Sequence, residues 1–377
     1  MDYNINRGIL VNVCISDLHF GSMDPSTEYQ ILQEQFLQPI SQLQKIDIVS
    51  IIGDVFDRKF MANSEAVFYA IKFIDDIVSL AKIKGYSIIL IQGTASHDAG
   101  QLKLFYHYLD DRSIDFRIVE SIKFEYVKGA KILCIPELYG VPEENYRHFF
   151  FESGWYDECL VHGTFKGAVY GDNVGAGRLL VPEDFIYCKG LAIAGHVHKP
   201  GCFSSFFYYC GSPMRYKFRE EEAKGYLIVA HDLDTNIHNV EFEEITSFRY
   251  DTIYLDTLIS SDPKQIIDYI NDLKISKGID YIKVRIRDKV PGYNQTIINN
   301  YYRNNTSTFV EFVSETEIAE QKNLEDTIGN SKYDYLIDNS ISDYERFVRF
   351  VNESEGHEFI TVDRLTQILN DINSSSI

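Results

Sequence analysis

Five short apolar runs between residues 9 and 194 each lead into residues that can hold a metal ion. Ile9 to Ile15 is followed by Asp17-Leu18-His19, and Ile48 to Ile52 by Gly53-Asp54, with Asp57 one helical turn further on. Ile88 to Ile91 precedes Gly93-Thr94-Ala95-Ser96-His97-Asp98. Cys159 to Val161 precedes His162-Gly163, and Leu191 to Ala194 precedes Gly195-His196-Val197-His198. Runs this short and this apolar read as buried strands. In α/β sheets the residues just beyond the carboxyl ends of such strands meet in one crevice. Carboxylates and imidazoles gathered there, without thiolate, are the donor set for two borderline-hard divalent ions.

Between the runs the pattern turns helical. Glu28 to Leu43 places Ile31, Leu32, Phe36, Ile40 and Leu43 near helical spacing, and Ala66 to Ile83 does the same with Gly85 just past its end. Strand and helix alternate to about residue 245, which predicts an α/β layered domain. Phe206 to Cys210 and Gly225 to Ala230 read as strands closing a second sheet. From about Tyr250 a small α+β unit is expected, with Asp262-Pro263 opening a helix that ends near Gly278. Tyr281 to Ile286 and Thr308 to Val313 read as its strands, and Gln295 to Tyr302 as a second helix. Glu315 to Asp338 is acidic with little periodicity and reads as a linker to two short amphipathic helices, 343–352 and 362–372. The expected division is therefore 1–248, 249–314 and 315–377.

A chain of 377 residues with 45% hydrophobic content can bury more than one core. No stretch approaches the length of a membrane span, and the polar start, Asp2 to Arg7, does not read as a signal peptide. Six cysteines without a C-x-x-C pair read as buried thiols in a reducing cytoplasm. The formal charge of -20 argues against broad, non-specific nucleic-acid binding, so any such contact needs a local basic patch. Lys199, Arg215, Lys217, Arg219, Lys283, Arg285 and Arg287 either supply one or are ordinary solvated residues. His107, His148, His231, His238 and His357 belong to none of the blocks and read as structural.

The blocks resemble, in order and context, those of the calcineurin-like metallophosphoesterases. The family pattern D-x-H, G-D-x-x-D, G-N-H-D/E, H and G-H-x-H is matched at every block but the third, where Ser96 stands in the Asn place. The resemblance implies an α/β/β/α sandwich with a small α+β capping domain and a C-terminal helical tail. It also implies two divalent ions, with Mn²⁺ expected and Fe or Zn as alternatives. One would be held by Asp17, His19 and His198, the other by Ser96, His162 and His196, with Asp54 as bridge. His97 would stabilise the transition state and protonate the leaving oxygen, with Asp98 orienting or charging it. Asp57 would hydrogen-bond a ligand or cap a helix.

Beyond the last ligand, Tyr209-Cys210-Gly211-Ser212-Pro213-Met214-Arg215-Tyr216 and Lys224-Gly225-Tyr226 are similar to the SbcD-type double-strand-break repair nucleases. The small subunit of the phage recombination endonuclease shares this likeness. That implies a Mn²⁺-dependent DNA exonuclease or endonuclease, a homodimer, and an SbcC-like coiled-coil ATPase as partner of the tail. The place of action would be the cytoplasm, the host's if the chain is phage-encoded. A small-molecule or cyclic-nucleotide phosphodiesterase, and a non-catalytic scaffold on the same fold, are the competing readings.

Overall fold

The computed structural model describes residues 7–313 apart from 166–179 and the single positions 139, 153, 219, 221, 256, 259, 288, 304 and 306. The acidic linker and tail helices expected beyond residue 314 lie outside the described residues.

Strand β1 (Ile9–Ile15) leads into α1 (Pro25–Leu32), a π-turn (Gln33–Leu37) and α2 (Gln38–Gln42). Asp24 caps α1, its carboxylate accepting from the Thr27 amide at 2.9 Å. The single helix expected over 28–43 is interrupted, and Pro39 gives the reason. It has no N–H to donate, and its ring would meet the preceding turn's carbonyl in a regular α-helix. The widened turn before it, where the Gln38 amide reaches back to the Gln33 carbonyl, relieves that clash. Next come β2 (Ile48–Ile52), α3 (Glu65–Lys84), β3 (Ser87–Ile91) and β4 (Asp115–Val119). Helix α3 starts at Ser64, whose hydroxyl accepts from the Val67 amide, and stops at Gly85, which turns left-handed at φ 77°.

The second half of the layered unit holds β5 (Lys123–Val127), β6 (Ala130–Ile135), α4 (Arg147–Phe151), β7 (Glu158–His162) and β8 (Ala192–Gly195). It ends with β9 (Gly201–Ser204), β10 (Phe207–Tyr209), β11 (Gly225–Asp232) and β12 (His238–Glu244). Two six-stranded sheets result, ordered β12-β11-β1-β2-β3-β4 and β5-β6-β7-β8-β10-β9. Strands β1 to β4 run parallel, as do β6, β7, β8 and β10.

The expectation that both Phe206 to Cys210 and Gly225 to Ala230 close the second sheet holds only for the first of them. Strand β11 pairs antiparallel with β1, Ile9 opposite Asp232, and so belongs to the first sheet. Its alternation suits that place. Leu227 and Val229 face the space between the sheets, whereas Tyr226 packs with the helical layer against Phe36.

One core lies between the sheets and draws Cys14, Ile52 and Ile91 from the first and Cys134, Leu160 and Ile193 from the second. A second packs α1 and α3 on the first sheet, and a third packs α4 on the outer face of the other. The order is helix, sheet, sheet, helix, an α/β sandwich. Each fully buried Leu, Ile or Phe in it contributes ~1.5–3 kcal/mol of apolar transfer. All six cysteines are free thiols, four of them buried. The intersheet core contains one polar knot, in which Glu158 meets His231 Nδ1 at 3.2 Å and Asn12 Nδ2 at 3.3 Å.

The chain divides into two compact units, residues 1–252 with 273–282, and 253–272 with 283 onward. Strands β13 (Tyr250–Leu255), β14 (Tyr281–Ile286) and β15 (Thr308–Phe312) form a three-stranded sheet in that order. Helices α5 (Pro263–Ser276) and α6 (Gly292–Tyr302) intervene in sequence. Among the described residues no helix is long and apolar enough to cross a membrane.

Candidate metal centre

The carboxyl ends of β1, β2 and β3 from one sheet and β7 and β8 from the other deliver the site. Asp17 and His19 lie beyond β1, Asp54 beyond β2 and His97 beyond β3. His162 is the last residue of β7, and His196 and His198 follow β8. Three overlapping donor groups form among the described residues, Asp17 with His19 and His198, Asp54 with His162 and His196, and His97 with His19 and Asp54 between them; within each, one ligand atom per residue lies within 4.8 Å of the others. The Asp54 carboxylate sits between the first two sets. Its Oδ2 is 3.4 Å from His162 Nε2 and 3.9 Å from His19 Nε2. One carboxylate oxygen facing imidazoles of both sets is where a bridging ligand belongs.

The backbone is strained at four of these residues. Asp17, His19, Asp54 and His196 have φ of 52°, 47°, 50° and 86°, a region L side chains rarely adopt. Among the described non-glycine residues only Lys128 and Asn236 share it, and both lie in turns between paired strands. Such conformations cost on the order of 1–3 kcal/mol each and persist where surrounding structure holds them. Here the hold is visible: the Asp17 amide donates to the Gly53 carbonyl and the His19 amide to the Asp54 carbonyl, both at 3.0 Å. Asp17 in turn accepts from the His196 amide with both oxygens at 3.0 Å.

Two glycines make room for a ring. A side chain on Gly53 would lie 2.1 Å from His162 Nδ1, and one on Gly195 would lie 2.2 Å from the Ile52 carbonyl oxygen. His162 Nδ1 itself faces that carbonyl at 3.0 Å. Both glycines therefore admit the His162–Ile52 contact.

The third block needs two corrections. Ser96, expected as a ligand, is exposed. Thr94 takes the inner place: its amide donates to Asp54 Oδ1 at 2.6 Å and its hydroxyl to Asp54 Oδ2 at 3.1 Å, 3.5 Å from His162 Nε2. The turn that follows the glycine directs its next residue inward and lifts Ala95 and Ser96 to the surface. Asp98, expected to orient His97, is fully buried and accepts the amides of Val55, Phe56 and Gly93 at 3.0, 3.3 and 2.9 Å. It ties the β2 and β3 loops together. His97 is oriented by a backbone group instead, its Nδ1 lying 3.1 Å from the Phe56 carbonyl. With the proton on Nδ1, Nε2 is left for the cluster it shares with His19 and Asp54.

Burial favours neutral groups here, and it lowers His19 well below the usual imidazole range and His196 to about 3. Burial also opposes the charge on His162, but Asp54 beside it wins and raises it to about 10. Asp54 correspondingly stays well below the carboxylate range, since His162 and His19 outweigh its own burial. Asp98 is pushed up to about 7 by burial and by Asp54, against the pull of its amide donors.

Sequence reasoning missed Glu220. Its Oε1 lies 2.9 Å from His198 Nδ1, and its Oε2 accepts the Tyr216 amide at 2.9 Å. Burial would raise this carboxyl, but the His198 contact and Lys224 bring it down to about 2. With His198 protonated on Nδ1, its Nε2 carries the lone pair and accepts from His19 Nε2 at 3.0 Å. That leaves His19 Nδ1 bare, and it is indeed a buried nitrogen with no hydrogen-bond partner. Asp57 Oδ1 lies 3.9 Å from it, beyond a hydrogen bond but next in line once an ion claims His19 Nε2. The cap of α3 is Ser64, not Asp57.

No protein-family model matches this chain, and no curated protein does. It is similar to a solved structure over 63% of its own length and 100% of that chain, at 13% identity and a TM-score of 0.39. A likeness of that size carries no argument about the site.

Proposed function

We propose that this chain is a two-metal phosphodiesterase of the calcineurin-like metallophosphoesterase class, acting on DNA as a Mn²⁺-dependent nuclease in double-strand-break repair. The observation that carries the reading is the pair of donor sets meeting at Asp54, built on four residues held at positive φ. The residues fit two ions: Asp17, His19 and His198 would hold one, and His162, His196 and the Thr94 hydroxyl the other, with Asp54 between. When bound, such a pair neutralises phosphoryl oxygens and activates the attacking water. His97 then serves the leaving oxygen, because its Nδ1 is committed to the Phe56 carbonyl and leaves Nε2 for the group it shares with His19 and Asp54. Nitrogen and oxygen donors without thiolate favour Mn²⁺.

DNA as substrate is supported by the residues after the last ligand. The Gly211-Ser212 segment backs the centre directly: Ser16 Oγ donates to the Gly211 carbonyl at 3.0 Å, and the Ser212 amide to the His198 carbonyl at 3.1 Å. Lys283 and Arg285 are both paired with Glu311, at 2.9 and 2.8 Å, while Lys199 and Lys217 are exposed. A homodimer and an SbcC-like ATPase held by residues 340–377 belong to the same proposal. Co-purification with and without that segment tests the ATPase contact, and sedimentation tests the dimer.

Purified protein with Mn²⁺ should hydrolyse linear duplex DNA and bis-p-nitrophenyl phosphate, and lose both activities with a chelator. Asp54→Asn should abolish both while the fold survives, because an amide cannot offer charged oxygens to two cations. Wild-type turnover by folded Asp54→Asn protein would rule out the two-metal reading. Hydrolysis of the small diester alone would move the substrate to small phosphodiesters.

A further inference from the structure

Five imidazoles surround the centre, and their outer nitrogens are treated unequally. His97 and His162 each offer Nδ1 to a backbone carbonyl, of Phe56 and Ile52. His198 offers its Nδ1 to a carboxylate, Glu220 Oε1, at 2.9 Å. A carboxylate fixes the proton on Nδ1 more firmly than a carbonyl does, and it makes the opposite nitrogen a stronger donor to a metal.

Behind this pair stands Lys224, whose side chain is fully buried. Its ammonium donates to the His198 carbonyl and to Glu222 Oε1, both at 2.9 Å, and lies 3.5 Å from Glu220 Oε2. Three acceptors match the three N–H groups of an ammonium, which is the condition for keeping one buried and charged. Lys224 therefore grips His198 twice, directly by its backbone and indirectly through the carboxylate that holds its ring. The Tyr216 amide takes the other oxygen of Glu220, so the carboxylate has little freedom to turn.

We propose that Glu220, braced by Lys224, is a positioning residue that locks His198 in the tautomer with a bare Nε2 and thereby strengthens the Asp17–His19–His198 set toward its ion. The proposal rests on the metal-centre reading above, and two measurements keep the failures apart. In metal-free protein labelled with ¹⁵N-histidine, long-range nitrogen–proton NMR should find His198 protonated on Nδ1. Glu220→Ala should lose that preference. Glu220→Gln should keep it, because the amide oxygen still accepts from Nδ1–H. Titration of the full chain with Mn²⁺ alone should then show one of two binding steps weakened by about 10–100-fold in Glu220→Ala, with the other unchanged. Glu220→Gln should recover most of the loss.

An unchanged tautomer in Glu220→Ala would overturn the proposal, as would equal weakening of both steps or a Glu220→Gln protein as weak as Glu220→Ala. Two wild-type binding steps in His198→Ala would overturn the metal-centre reading, and with it the claim that Glu220 serves a ligand.

Discussion

His97 shares a donor group only with His19 and Asp54, which each belong to one of the two proposed ion sets as well. That position separates chemistry from metal binding. His97→Ala should keep its metal but lose turnover on DNA by on the order of 10²–10⁴-fold, the worth of a general acid. The loss should be smaller on p-nitrophenyl esters, whose leaving group scarcely needs a proton. Equal losses on both substrates would leave His97 only a charge-stabilising part. The exchange of Ser96 for Thr94 makes a second prediction at this scale. Thr94→Asn brings a longer, better oxygen donor to Asp54 and His162 and should lower the Mn²⁺ needed for half-maximal rate. Ser96→Ala should leave that requirement where it is. The reverse pattern would restore Ser96 as the ligand.

The elements themselves were readable where local physics sets them. Wholly apolar runs such as Ile88–Ile91 can be little other than buried strands, and Ser64 and Gly85 punctuate α3 as caps should. Partners across the fold were less readable. Nothing local tells β11 that it pairs with β1 in the first sheet, because alternation fixes a strand's face and not its neighbour. Which residue of Gly93-Thr94-Ala95-Ser96-His97 turns inward depends on a turn that spacing alone does not encode. Glu220 was invisible for the same reason, being brought to His198 across 22 positions by the loop before β11. The contact between the β2 and β8 ends carries its own prediction. Gly195→Ala would press a methyl against the Ile52 carbonyl, at 2.2 Å, and displace the partner of His162 Nδ1. It should destabilise the fold by about 1–3 kcal/mol and reduce metal binding as well. Chemical denaturation and Mn²⁺ titration of one preparation would check both, and wild-type values in each would show that the strand ends can part without cost.

For the molecule as a whole, stability should depend on pH through a carboxyl outside the ligand sets. Glu28 is fully buried and accepts from the Gly21 amide, the Ser22 hydroxyl and the Met23 amide at 2.8, 2.9 and 3.1 Å. Burial raises it from 4.5 to about 7 despite these donors. Below about pH 4.5 both folded and unfolded chains hold the proton, and the contribution to stability is fully present. Between there and pH 7 the folded chain alone holds it, so stability falls as pH rises and levels off above 7. The full swing is on the order of 3 kcal/mol. Glu28→Gln in metal-free protein should flatten the difference in urea midpoint between pH 5 and pH 8, and an unaltered slope would assign the effect elsewhere.

The donor sets also straddle the sandwich. Asp17, His19 and Asp54 ride on one sheet, and His162, His196 and His198 on the other. An ion held by both groups would have to be released before the sheets could separate at this end. Its binding energy would then count against every opening that exposes the core between them. Amides at the ends of β1, β2, β7 and β8 would gain exchange protection together as the ion concentration rises, and those of the solvent-edge strand β12 would not.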